Sequence, residues 1–360
     1  MNDAGTPLRR GWTTGACATA AAKAAYIALQ GAGFPDPVQI TLPLGSTIGF
    51  ALAREALGPE TATAGVVKDA GDDPDVTHGA LVLVTVRQRP RGTGVTFRAG
   101  RGVGTVTKPG LPVSVGEPAI NPVPRQMIRY AIEESARHLG TPGDAEVEIA
   151  IPGGEALAER TMNARLGILG GLSILGTTGV VVPYSCAAWI ATIHEGIDVA
   201  RATGLAHVAG STGSTSEAAV ARAYALPESA LIEMGDFAGG LLKYIRRHPV
   251  ARLTIAGGFA KMAKLAQGSL DLHSARSTLD FAALELLAIN CGATPALAGR
   301  IAAANSGLEA LQLATQSNVP LADAVARGAR ASATVVLDGA PVALDVLVVD
   351  RAGSVIARAG

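Results

Sequence analysis

The stretch Ala206-His-Val-Ala-Gly-Ser-Thr-Gly-Ser-Thr-Ser-Glu217 decides how the second half of this chain folds. A short apolar strand, Ala206 to Ala209, empties through Gly210 and Gly213 into a helix over Thr215–Ala225, the pattern of a βα unit. The same pattern recurs on either side. Strands are predicted at Gly179–Pro183, Ala230–Met234, Arg252–Ala256 and Leu344–Val349. Helices are predicted at Cys186–Thr203, Phe237–Arg247 and Phe259–Gln267, with two or three more between Thr278 and Leu337. Continuous apolar strands alternating with helices imply a parallel sheet covered on both faces, a doubly wound α/β domain whose ligands bind outside the carboxyl ends of the strands.

Three of those ends are glycine-rich and polar: Gly210 to Glu217, Glu233-Met-Gly-Asp-Phe, and Gly257-Gly-Phe-Ala-Lys-Met-Ala-Lys264. Gly210, Ser211, Thr212 and Gly213, with Gly257 and Gly258, are therefore candidate cofactor-binding residues, where a ligand can approach the backbone at a helix N-terminus. Glu233 or Asp236 is placed to hold a ribose diol, about twenty residues after the first glycines. The spacing is neither the three-glycine dinucleotide fingerprint nor a Walker loop, so adenosine without a pyrophosphate is the favoured nucleotide. Tight βα turns with no ligand are the plainer alternative.

Outward from this half, the first 162 residues have a different texture. Arg9-Arg-Gly-Trp-Thr-Thr-Gly-Ala-Cys17 leads into an alanine-rich helix running to about Gln30. Thr13 or Thr14 is its predicted cap, with the first N–H groups facing outward for an anion and Cys17 in the first turn near the helix dipole. Strands are predicted at Val38–Leu42, Leu81–Val86 and Glu146–Ile151, and a helix carrying Arg125 and Arg129 from Pro124 to about Leu139. Asp69, Asp72, Asp73 and Asp75 lack the calcium-loop pattern and read as a solvated turn. No acidic residue occurs between Val76 and Gly116, which holds Arg87, Arg89, Arg91, Arg98, Arg101 and Lys108. That segment is either a basic surface or a set of ordinary protected strand edges. Lys108 to Arg125 is too rich in Pro and Gly for regular structure and forms a rigid loop.

The 360-residue length favours two domains, and 30 basic against 30 acidic side chains argue against a dedicated nucleic-acid binder. Three scattered cysteines suggest neither disulfides nor a zinc set, so no metal site is expected and a reducing, cytoplasmic setting fits. The opening Met-Asn-Asp-Ala-Gly-Thr-Pro has no signal pattern. The uncharged run Leu166–His194 is broken by five glycines and Pro183, so no membrane span is expected. His273, after a helix stop at Gly268, is the most site-like of the six histidines.

Four long blocks then resemble a known family, the cobalt-precorrin-5B C(1)-methyltransferases of cobalamin biosynthesis, or CbiD family. They are Gly11-Trp-Thr-Thr-Gly-Ala-Cys17 with its helix, Gly104 through Arg125, Asn163-Ala-Arg-Leu-Gly through Gly179, and Lys261-Met-Ala-Lys-Leu-Ala266 with His273-Ser274. Asp236, Phe259-Ala260 and Ala275 depart from the family pattern, relatives often having Asn, a more polar pair and Lys there. The resemblance implies transfer of a methyl group from S-adenosyl-L-methionine to ring carbon 1 of cobalt-precorrin-5B, giving cobalt-precorrin-6A, with cobalt present only as part of the substrate. It also implies an N-terminal α+β domain, 1–162, contributing to the macrocycle site, and a Rossmann-like α/β domain, 163–360, binding the cofactor. The anionic macrocycle is expected between the domains, with Thr13, Thr14, Lys108, Asn121, Arg125 and Arg165 as substrate-binding candidates and Cys17 and His273 as catalytic candidates. A homo-oligomer is left open. Two other readings stand beside this one: a nicotinamide-dependent oxidoreductase acting on a tetrapyrrole, and a non-catalytic tetrapyrrole carrier.

Overall fold

Alanine dominates helix α1 (Thr14–Leu29), which is buried on nearly every side. Small side chains let neighbouring elements approach its backbone, so it forms the central post of a unit rather than an amphipathic cover. The computed structural model describes residues 7–360, and the opening residues, read above as lacking a signal pattern, lie outside them. The chain divides into two units, Met1–Ser185 and Cys186–Gly360.

In the first unit a five-stranded sheet has the order β1 (Arg54–Leu57), β2 (Thr61–Val67), β3 (Leu81–Gln88), β5 (Ala145–Ala150) and β4 (Val95–Ala99). Strand β5 runs antiparallel to β3 and parallel to β4. Alternation sends Val82, Val84 and Val86 of β3, and Val147 and Ile149 of β5, into a core shared with α1. A second helix, α2 (Pro122–Leu139), is fastened to α1 by Lys23 Nζ, 2.6 Å from Glu134. The Tyr26 hydroxyl, on the buried face of α1, lies 2.7 Å from Thr141 Oγ1.

The acid-free segment is acid-free only in sequence. Arg87 and Arg98 meet Glu146 across the sheet at 2.9 and 3.4 Å, and Arg101 lies 3.6 Å from Glu155, so these three arginines do not stand as unopposed charge. The four aspartates are likewise satisfied within the chain. Asp69 pairs with Arg9, Asp72 accepts from the Arg9 backbone, Asp73 accepts from the Tyr184 N–H, and Asp75 pairs with the buried Lys68.

Residues 163–185, grouped above with the second half, pair within the first unit. Ile168–Leu169 meets Thr105–Val106, Gly171–Leu172 meets Gly102–Val103, and Val180–Val181 runs antiparallel to Gly11–Trp12. The strand predicted at Gly179–Pro183 is therefore not part of the parallel sheet. Its apolar run could not name its partner, and the run is not buried as a central parallel strand would be: Val180 and Val181 are half-buried and Val182 is exposed.

The second unit holds a sheet of order β7 (Leu231–Glu233), β6 (His207–Ser211), β8 (Arg252–Gly258), β9 (Ala343–Val349) and β10 (Val355–Ala359). Neighbours are parallel except for β10, which runs antiparallel to β9. Helix α3 (Cys186–Ala202) precedes the sheet, while α4 (Ser214–Tyr224), α5 (Ala238–Arg247) and α6 (Phe259–Ala266) follow β6, β7 and β8. Ala219 and Val220 of α4 pack on Ala209, Ala256 and Leu347, whereas Leu241 of α5 and Met262 of α6 join Val208, Leu253 and Ile255. Alternate residues of the strands thus feed opposite faces, as continuous apolar runs require.

Four helices, not two or three, fill the space before β9: α7 (Phe281–Asn290), α8 (Pro295–Ala302), α9 (Gly307–Gln316) and α10 (Leu321–Leu337). Asp280, Thr294 and Ser306 cap α7, α8 and α9 by accepting from backbone N–H groups in the first turn, which lets such short helices begin cleanly.

Candidate functional site

Strand β6 is followed in space by β7 on one side and β8 on the other, so the chain reverses direction across the sheet between β6 and β8. Helices α4 and α6 leave those two strands toward opposite faces, and a crevice opens where they part. A cavity of about 810 Å³ occupies it, within the roughly 300–1,000 Å³ range of ligand clefts. Thr212 to Ser216 form one wall, Gly258 to Lys261 another, and Leu308, Leu311 and Gln312 of α9 with Val349 to Ala352 complete it.

The glycines serve different ends. At Gly213, the residue before α4, a Cβ would meet nothing within 4 Å, and no side chain caps the helix. Gly258 stands in the same relation to α6. By contrast a Cβ on Gly210 would lie 2.4 Å from Leu241, and one on Gly257 would lie 2.7 Å from Met262 and 2.9 Å from Thr212. Gly210 is thus a packing glycine in the strand, while Gly257 lets the β8 end come close beneath Thr212.

Lys261 connects the strand ends. Its Nζ donates to the Thr212 carbonyl at 3.1 Å and lies 3.0 Å from Asp236 Oδ1, an ion pair without the directed geometry of a hydrogen bond. Ser211 Oγ, fully buried, also has no hydrogen-bond partner among the described residues. Thr212, Gly213 and Gly258 therefore line the crevice. Gly210, Ser211 and Gly257 lie in the strands beneath it, and Asp236 reaches it through Lys261. Glu233 is at the end of β7, its carbonyl accepting from Trp189 Nε1 at 3.1 Å.

The loop bearing His273 is drawn to the same strand end, since the Leu272 N–H donates to the Asp236 carbonyl at 2.8 Å. Lys264, a buried lysine, donates to the carbonyls of Leu272 at 3.2 Å and Ser277 at 2.7 Å, and so fixes the loop from below. Nδ1 of His273 accepts from the Ala275 N–H at 3.1 Å, which assigns the neutral ring's proton to Nε2.

The first unit brings its three blocks together. The Gly15 N–H donates to the Leu175 carbonyl at 3.2 Å, the Asn121 N–H donates to Ile174 at 2.9 Å, and Ala119 N–H donates to Gly104 at 2.8 Å. Thr13 caps α1 as predicted, its hydroxyl accepting from the Ala16 N–H at 3.2 Å. Thr13 and Thr14 are buried, and the Gly15 and Ala16 N–H groups are taken within the unit. The helix start is therefore not the open anion site its sequence suggested. Arg125 also turns inward. It donates to the Ile120 and Pro118 carbonyls at 2.8 and 3.0 Å and pairs with Glu117 at 3.0 Å, bracing the proline-rich loop rather than projecting from it. Asn121 precedes α2 without using its side chain as a cap. The Lys108 stem crosses Gly167, and its ammonium lies 3.4 Å from the Arg165 carbonyl.

Cys17 is fully buried, and burial pushes its thiol up to about 12, outweighing the nearby Lys68 charge. Burial thus disfavours the thiolate that the helix dipole would favour, and Cys17 packs as a small buried hydrophobe. In a native thiol-labelling experiment the exposed Cys186 should react first, the half-buried Cys291 more slowly, and Cys17 only after unfolding. Rapid labelling of Cys17 in the folded protein would contradict its burial.

Sequence reasoning did not single out Trp189, Lys261 or Lys264 as site residues, nor Asp350 and Arg351. Lys261 and Lys264 stood inside a quoted block. Asp350 follows an apolar strand and was findable by the rule that placed the other loops. Trp189 carried no local signal.

Residues 1–183 match the family model described as CbiD, and residues 271–360 match CbiD, C-terminal domain. A cobalt-precorrin-5B C(1)-methyltransferase of Paramagnetospirillum magneticum is 62% identical over 98% of this chain and 98% of its own length. One of the same name from Methylorubrum extorquens is 61% identical over 99% of both chains. A crystal structure of a cobalamin biosynthesis protein (cbiD) from Archaeoglobus fulgidus is 28% identical, covering 75% of this chain and 83% of that one with a TM-score of 0.41. Across nearly its whole length, then, this chain belongs to the CbiD family, whose relatives here are cobalt-precorrin-5B C(1)-methyltransferases.

Proposed function

We propose that S-adenosylmethionine is the methyl donor and occupies the crevice between β6 and β8, in a doubly wound, Rossmann-like domain. The activity it serves is that of the family, methylation of carbon 1 of cobalt-precorrin-5B in cobalamin biosynthesis. The observation that carries the cofactor assignment is the cavity at the point where strand order reverses, where doubly wound sheets take their ligands. Thr212, Gly213 and Gly258 would face the cofactor, with Lys261 fixing the Thr212 carbonyl between them.

The chemistry asks mainly for alignment. A nucleophilic ring carbon attacks the sulfonium methyl in line; the new C–C bond forms as the C–S bond breaks and its electron pair stays on sulfur. Holding the two reactants in that geometry supplies up to roughly 7–11 kcal/mol. Of the two catalytic candidates, Cys17 is withdrawn by its burial, while His273, with Nδ1 engaged by the Ala275 N–H, would offer its Nε2–H as a hydrogen-bond donor. For the substrate's carboxylate arms, Lys108 and Arg165, linked by the Lys108 ammonium at the Arg165 carbonyl, and Asn121 are the proposed contacts.

Titration calorimetry against S-adenosylhomocysteine and NADH distinguishes the readings. Binding of the first and not the second is expected. NADH binding without S-adenosylhomocysteine binding would replace the proposal with a nicotinamide enzyme, and macrocycle binding with neither would leave a carrier. The absence of a third glycine after Gly213 already weighs against the nicotinamide reading.

A further inference from the structure

Among the residues lining the crevice, one carries a carboxylate, and it is neither of the acidic residues the sequence pattern favours. Asp350 follows β9 directly, one strand beyond β8. It is held in a tight turn: Oδ1 accepts from the Ser354 N–H at 2.8 Å, and its own N–H donates to the Ser354 carbonyl at 2.9 Å. Oδ2 has no hydrogen-bond or ion-pair partner among the described residues. Asp236, in contrast, is not among the lining residues, and its Oδ1 faces the Lys261 ammonium at 3.0 Å. A fixed carboxylate with one oxygen uncommitted, at a strand's carboxyl end and beside the apolar side chains of Leu308 and Leu311, suits a vicinal diol attached to a flat apolar base.

We infer that Asp350 accepts the ribose hydroxyls of the adenosine-containing cofactor, in the place the sequence pattern gave to Glu233 or Asp236. This rests on the cofactor reading above. The turn fixes the carboxylate before binding, so little side-chain freedom is lost when the diol arrives. Asp236 then acts on the crevice at one remove, by holding Lys261.

The test is a double-mutant cycle by calorimetry on the full chain, using S-adenosylhomocysteine and its analogue lacking the ribose 2′- and 3′-hydroxyls. Wild-type protein should bind the dideoxy analogue about ten- to a hundredfold more weakly, the loss expected for hydrogen bonds to a charged group. D350A should bind S-adenosylhomocysteine with a similar loss and show almost no further discrimination between the two ligands. D350N keeps an acceptor for the Ser354 N–H, so it should retain the turn and lose less affinity than D350A. If D350A or D350N discriminates as well as wild type, the inference is overturned while the cofactor reading stands. If wild-type protein binds no S-adenosylhomocysteine, the cofactor reading and this inference fall together.

Discussion

Replacing Lys261 with methionine is expected to weaken S-adenosylhomocysteine binding by about thirty- to a hundredfold, because a partly buried carboxylate loses its counter-ion. The ammonium holds the Thr212 carbonyl and faces Asp236, so its loss loosens one wall of the crevice and leaves a negative charge unopposed at the next strand end. Methionine preserves most of the side-chain length, and the fold should survive. The double variant K261M/D236N should recover part of the affinity, since no uncompensated carboxylate then remains. Calorimetry on the two variants and D236N closes the cycle. Unchanged affinity in K261M would remove Lys261 from the site.

The second large effect concerns stability. Gly102→Ala is expected to cost about 3–5 kcal/mol and to lower the first unit's melting temperature by about 10 °C. Gly102 has φ +78, and a Cβ there would lie 1.9 Å from the Ile151 carbonyl oxygen and 3.0 Å from the Gly154 nitrogen. Those are backbone atoms, so no rotamer change relieves the clash. Gly102 also pairs with Gly171, joining the segment before the proline-rich loop to the Asn163 block. Gly92→Ala is the control: φ there is +89, but nothing lies within 4 Å of the added carbon. It should carry the backbone cost alone, about 1 kcal/mol. Equal melting temperatures for the two variants would show that the close approach at Gly102 does not matter.

The second unit was the more legible half, for a physical reason. In a parallel sheet covered on both faces each strand is a continuous apolar run ended by a loop, so Ala206–Ala209, Arg252–Ala256 and Leu344–Val349 announce themselves one at a time. The first unit depends on pairings between distant two-residue strands, such as Val180–Val181 with Gly11–Trp12, and no local pattern encodes a partner. Charge was left ambiguous for the same reason. Glu146 and Glu155, which meet Arg87, Arg98 and Arg101, lie far along the chain, yet close in the fold. Thr13 was legible as a cap because capping is local. The loss of the neighbouring Gly15 N–H to the Leu175 carbonyl was not, because that contact joins two blocks far apart in sequence. At the site, the glycine rule located the crevice but could not tell a packing glycine, Gly210, from an open one, Gly213, since both read alike in one dimension.

The central claim is that this chain moves a methyl group from a cofactor in the second unit's crevice onto the corrinoid ring. Incubating the protein with methyl-labelled S-adenosylmethionine and cobalt-precorrin-5B, then separating the corrinoid by chromatography and locating the label by mass spectrometry and NMR, tests it most directly. Label at carbon 1 with one S-adenosylhomocysteine formed per methyl is the predicted result. Folded protein that binds S-adenosylhomocysteine yet leaves the corrinoid unlabelled, or that labels another ring carbon, would contradict the account.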